Sequence, residues 1–221
     1  MPSTKKPCSL KFVGHLCVGD TPEARLNTEQ DFSELLKRMS ACTICDGLEL
    51  GPNPIFQIDQ KAKILIVGQA PGRITHARNR PFDDPSGDRL RRWLGVDRTT
   101  FYNDPRMGIF PMGLCFPGGG KGGDAPPRKE CADTWRLPVL SHLRQIELTI
   151  LMGRYAIDWH APEHKRASVA DAVSSIDTAT AKSIILPHPS PRNMRWFKNH
   201  PWFEAEVIPA LQKRVAAILS P

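Results

Sequence analysis

His188 is the residue whose setting looks most prepared for chemistry. It stands in Pro187-His188-Pro189-Ser190-Pro191-Arg192-Asn193, where three prolines fix the direction of one imidazole beside a hydroxyl. A lone histidine is more often a packed or surface residue, but one presented this rigidly points to function. A second candidate is Gly68-Gln69-Ala70-Pro71-Gly72. Its two glycines permit close backbone approach to a ligand, and Pro71 stiffens the turn. Backbone N–H groups of such a loop can hold a carbonyl oxygen or a phosphate. No Gly-Lys-Ser/Thr follows, so this is not a P-loop, and a purely structural turn could share the pattern.

Cysteines supply a third set. Cys42 and Cys45 form a C-x-x-C pair, Cys115 follows after 69 residues and Cys131 after 15 more. Metal or cluster ligation by these four competes with scattered buried thiols. Cys8 and Cys17 fit neither pattern.

These groups need elements to position them. Lys63–Val67 is an apolar run ending at Gly68, as expected of a strand buried on both faces. Similar runs cover Gly108–Leu114, Leu148–Met152 and Ser183–Leu186. Helical patterns fall at Glu29–Met39, at Ser86–Leu94 with Ser86 as N-cap, at about Ala132–Leu143, and at Phe203–Leu219 with a break near Pro209. The alternation predicts an α/β fold, a three-layer α/β/α sandwich around a central, mainly parallel four-stranded sheet. In such sheets ligands bind beyond the carboxyl ends of the strands, where both candidate loops lie. The tract Pro117–Pro127 reads as a flexible loop. Residues 1–40 read as an N-terminal extension ending in a helix, and 41–221 as the functional domain.

The chain has 221 residues, 40% of them apolar, enough for one domain with a real core. No apolar run reaches the roughly 18 residues of a membrane span, and no signal peptide is evident. The expectation is a monomeric cytoplasmic protein without membrane contact. Disulfides do not persist in that compartment. A net charge of +7 suits a polyanionic partner, or simply a basic surface.

Taken together, the two loops resemble motifs A and B of the uracil-DNA glycosylase superfamily. Arg80-Pro81-Phe82 and Ser86-Gly87-Asp88-Arg89-Leu90 add to the match, which covers roughly Ala41 to Leu219. The cysteine spacing resembles the iron–sulfur (family 4) branch, which implies a [4Fe–4S] cluster on Cys42, Cys45, Cys115 and Cys131. Zinc is an alternative for four thiolates, as is no metal at all. The resemblance implies DNA as partner, uracil or a related base as product, and hydrolysis of the N-glycosidic bond with the base flipped out of the duplex. His188 would hydrogen-bond uracil O2, helped by the backbone of Gly68, Gln69, Ala70, Pro71 and Gly72. Phe82 would stack on the base, a contact worth about 1–3 kcal/mol. Ser190 would contact a phosphate, with Arg192 and Asn193 beside the opened duplex. Arg195, Lys198 and the Arg89, Arg91, Arg92 group would hold the backbone.

Two departures stand out. Gln69 occupies a place where family 4 usually has Glu, and Gln can orient a water but cannot act as a base. Asp83 and Asp84 are the nearest alternative acids, with His76 a weaker one. Many relatives also read uracil with an Asn on the second core strand, a place that falls here near Pro111 or Met112. The preferred base could therefore be uracil, hypoxanthine or xanthine. A binding protein that has lost catalysis and an iron–sulfur sensor are the competing readings.

Overall fold

The computed structural model describes residues 22–120 and 122–220. Four parallel strands form the central sheet: β1 (Ile64–Val67), β2 (Met107–Ile109), β5 (Leu148–Met152) and β6 (Ser183–Leu186), in the order β2-β1-β5-β6. Ile64, Ile66 and Val67 are fully buried, because helices flank the sheet. The chain runs from β1 outward to β2, then returns past β1 to β5. The end of β1 is thus the switch point where open α/β sheets bind ligands.

The helices are α1 (Pro22–Ser40), α2 (Arg73–Arg78), α3 (Pro85–Leu94), α4 (Arg98–Asn103), α5 (Lys129–Cys131), α6 (Leu137–His142), α7 (Arg154–His160), α8 (Val169–Ser174), α9 (Met194–Asn199) and α10 (Ile208–Leu219). None is long and apolar enough to cross a membrane. The first helix begins earlier than its apolar face suggests, and its Phe32 and Met39 join the main core. Cys8 and Cys17 lie outside the described residues.

Two π-helical turns, Ala132–Arg136 and Phe203–Val207, each run into a helix with proline at its second position, Pro138 and Pro209. Proline has no N–H and crowds the carbonyl four residues back, so the helix loosens just before it. The expected break near Pro209 has this origin. Around the second turn, Trp93, Trp196, Phe197, Trp202 and Phe203 pack edge to face and join α3, α9 and the start of α10.

Three expectations need correction. The second strand was expected over Gly108–Leu114 but stops at Ile109, since Pro111 cannot donate to the ladder. The segment still follows β1 and its loop, through Phe110 N–H to Ile66 O, Met112 N–H to Gly68 O and Gly113 N–H to Gln69 O, each at 2.9 Å. The helix after Phe82 is capped by Asp84 and not by Ser86: Asp84 Oδ1 accepts from Gly87 N–H at 2.8 Å. The Pro117–Pro127 tract, expected as a flexible loop, carries regular pairing. It contains an antiparallel hairpin of β3 (Gly119–Gly120) and β4 (Gly123–Asp124), with glycine at positive φ at Gly118 and Gly122. Ala125 N–H closes it on Gly118 O, and Glu49 accepts from Gly119 N–H.

Candidate active site

A cavity of about 380 Å³ opens at the end of β1. That is within the range of pockets that bind small molecules. Gly68, Gln69, Ala70, Pro71 and Gly72 form one wall, His188, Ser190 and Arg192 another, and Phe82 stands between them. Ile55, Ile109 and Pro111 supply apolar surface. Pro111 thus occupies the wall where an Asn side chain was sought, while Met112 is buried, its sulfur against the guanidinium of Arg136.

The His188 loop is held by its own neighbours. Ser190 N–H donates to His188 Nδ1 at 3.2 Å, and Asn193 Nδ2 donates to His188 O at 2.8 Å. With Nδ1 accepting, the neutral ring carries its proton on Nε2. Burial pushes the His188 pKa below the ordinary histidine value, against the opposing pull of Asp84 and Asp124. The group is therefore a neutral hydrogen-bond donor at pH 7. Ser190 Oγ accepts from Arg192 N–H, and Arg89 reaches across from α3 to donate to Pro189 O and Ser190 O at 3.0 and 3.2 Å.

Phe82 has φ of +53°, a left-handed backbone that a bulky side chain adopts only under compulsion. Two contacts enforce it. Arg91 donates to Phe82 O, and Gly87 lies so close that an added Cβ would sit 1.7 Å from that oxygen. The ring tip lies against Gly68, where a Cβ would be 3.5 Å from Phe82 Cζ. Tyr102 supports the turn by donating to Pro81 O, and the Arg80 guanidinium lies over its ring.

Several predicted roles meet a different geometry. Asp83 does not line the cavity. It pairs with Arg98 at 2.9 Å and Arg78 at 3.6 Å, and the Arg98 hydrogen bond holds its carboxyl below the usual range. Asp84 and Asp124 are the carboxylates on the cavity wall. Arg91 is buried against Tyr102 and Asp88 and cannot reach DNA, whereas Arg92, Arg192, Arg195 and Lys198 are exposed. Asn193 is spent on the His188 carbonyl. His76 packs near Phe116, away from the cavity lining. Gln69 turns its amide to the hairpin, Nε2 donating to Ala125 O at 3.1 Å. The Asp84-Pro85 step carried a helix-start signal. Nothing local pointed to Asp124.

The four cysteines lie close enough to perturb one another. Burial foremost, then neighbouring thiols, raises Cys131 to about 12, and burial also raises Cys115 and Cys45. Three sulfurs accept N–H groups: Cys115 from Asn53, Cys131 from Leu114, and Cys42 from the Trp135 indole. Among the described residues no group of three or more potential ligands is arranged to hold a single metal ion.

Residues 55–212, well over half the chain, match the profile of the Uracil DNA glycosylase superfamily. The chain belongs to that superfamily. It is also similar to the solution NMR structure of a candidate uracil DNA glycosylase from Methanosarcina acetivorans, at 16% identity, covering 73% of this chain and 98% of that one with a TM-score of 0.43. Superfamily membership places DNA among its partners.

Proposed function

We propose that this superfamily member is a DNA glycosylase that hydrolyses the bond between uracil, or another deaminated base, and deoxyribose. One observation carries the reading: His188, its Nδ1 accepting from Ser190 N–H, lines a cavity that Phe82 also lines. A flipped base stacked on Phe82 would offer O2 to that N–H. As the glycosidic bond breaks, charge gathers on the base, and a preorganised donor stabilises it more than it stabilises the ground state. The apolar wall of Ile55, Ile109 and Pro111 leaves base selection to backbone groups and shape.

Cys42, Cys45, Cys115 and Cys131 would hold the [4Fe–4S] cluster. Their common thiol chemistry, the N–H donors on three sulfurs and the mutual perturbation of the thiols support this. Bound there, the cluster would serve as a structural pin between the end of α1 and the segment leading into α5. Visible absorbance and iron analysis of protein purified without oxygen test it; colourless protein holding zinc overturns it.

The activity is tested with oligonucleotides carrying single uracil, hypoxanthine or xanthine. Base release leaving alkali-labile abasic sites is expected. DNA binding without release of any base would instead indicate a member that has lost catalysis.

A further inference from the structure

Glycosidic hydrolysis needs a group that holds water against C1′ and accepts its proton, and Gln69 cannot do the second task. The Gln69 amide does something a carboxylate could not, donating from Nε2 to the carbonyl of Ala125. That bond fastens the hairpin one residue beyond Asp124, the last residue of β4, whose register partner is Gly119. Asp124 thereby reaches the cavity wall shared by Gly72 and His188. A Cβ on Gly72 would lie 3.2 Å from Asp124 Oδ2, so this glycine leaves the carboxylate room against the β1 loop. The other acids nearby have occupations: Asp83 is paired with Arg98 and Arg78, and Asp84 caps α3. Among the described residues, the Asp124 side chain has no hydrogen-bond or ion-pair partner.

We propose that Asp124, delivered by the glycine-rich hairpin, positions and deprotonates the hydrolytic water in place of the acid absent from the β1 loop. The assignment rests on the glycosylase reading. In the step, the water oxygen forms its bond to C1′ while one water proton passes to the Asp124 carboxylate. The C1′–N1 electron pair leaves with the base, whose O2 is held by His188. Gln69 clamps the segment that carries the acid.

Single-turnover release of uracil from a labelled single strand, with DNA affinity and melting temperature measured alongside, tests the assignment. Asp124→Asn is expected to slow release by about 10²-fold or more. DNA affinity should hold or tighten, since a negative charge leaves the DNA-facing wall. Asp124→Glu keeps a carboxylate and is expected to be faster than Asp124→Asn. Equal losses in both variants at unchanged melting temperature would make the effect one of shape and overturn the proposal. Wild-type rate in Asp124→Asn overturns it while leaving the glycosylase reading intact, and the role passes to Asp84 if Asp84→Asn is then the slow variant. Wild-type protein inert on every deaminated base overturns both.

Discussion

The two walls of the cavity are built on opposite principles. The His188 wall is stiffened from within: three prolines, Ser190 N–H on the imidazole and Asn193 on the His188 carbonyl all lie within six residues of one another. The Gln69 wall is held from a distance. Its carbonyl accepts from Gly113, its side chain reaches Ala125, and its working carboxylate is assigned to Asp124. Local rigidity fixes His188, while tertiary contacts place Asp124. Arg89 and Arg91, both on α3, tie the pieces together, one holding the His188 loop and the other Phe82.

The sharpest way to break this contrast is His188→Ala. Uracil release should fall by about 10²–10³-fold, as for loss of one preorganised donor, with the melting temperature little changed. Gly87→Ala strikes the contact on which Phe82 depends. Its methyl would overlap the Phe82 carbonyl, so stability should drop by about 1–3 kcal/mol or more, seen as a lower urea midpoint, and base release should slow with it. A variant as stable and active as the parent would show that Phe82 is not held by this contact.

Acid should separate stability from chemistry. Burial depresses His188, and depresses His160 to about 3 from the ordinary 6.5. Both imidazoles are neutral when folded, so their contribution to stability is complete above 6.5 and is lost as pH falls from there through the folded values. Asp83, Asp97 and Asp104, also depressed, add losses below 3.8. Denaturation midpoints should therefore decline from pH 6.5 downward, while single-turnover rates should show no step at 6.5 attributable to His188. Such a step in wild type, missing in His188→Ala, would mean the imidazole is not held neutral. Arg89→Met, the mildest change, removes two hydrogen bonds to the His188 loop and should cost about 1–2 kcal/mol by thermal melting, with a smaller fall in rate than His188→Ala.

What the sequence revealed divides along the same line. The strands, the two loops and Phe82 were legible because each is written in consecutive residues: apolar runs, prolines around one histidine, an aromatic after Arg-Pro. The role of Arg91 was not, because its burial depends on Tyr102 and on a carbonyl nine residues back. Asp83 and Asp84 are adjacent and chemically alike, and only the Arg98 and Arg78 contacts against the Gly87 cap tell them apart. Asp124 was invisible because its tract is nearly side-chain-free, and the Gln69 bond that fixes it spans 56 residues. The cut in β2 was written in the sequence, in Pro111, but the long apolar run around it outweighed that one residue.

Four of the five tryptophans give this protein two built-in optical channels. Trp93, Trp196 and Trp202 sit in the aromatic cluster at α3 and α9, and Arg89 of α3 ties that helix to the His188 loop, whereas Trp135 points its indole at Cys42. Emission from the first group should change when DNA presses on the loop. Trp135 lies within energy-transfer range of anything coloured held by the cysteines and would be dark when an iron–sulfur centre is present. Trp→Phe replacements, with Trp159 removed as background, would let one cuvette follow the two groups independently.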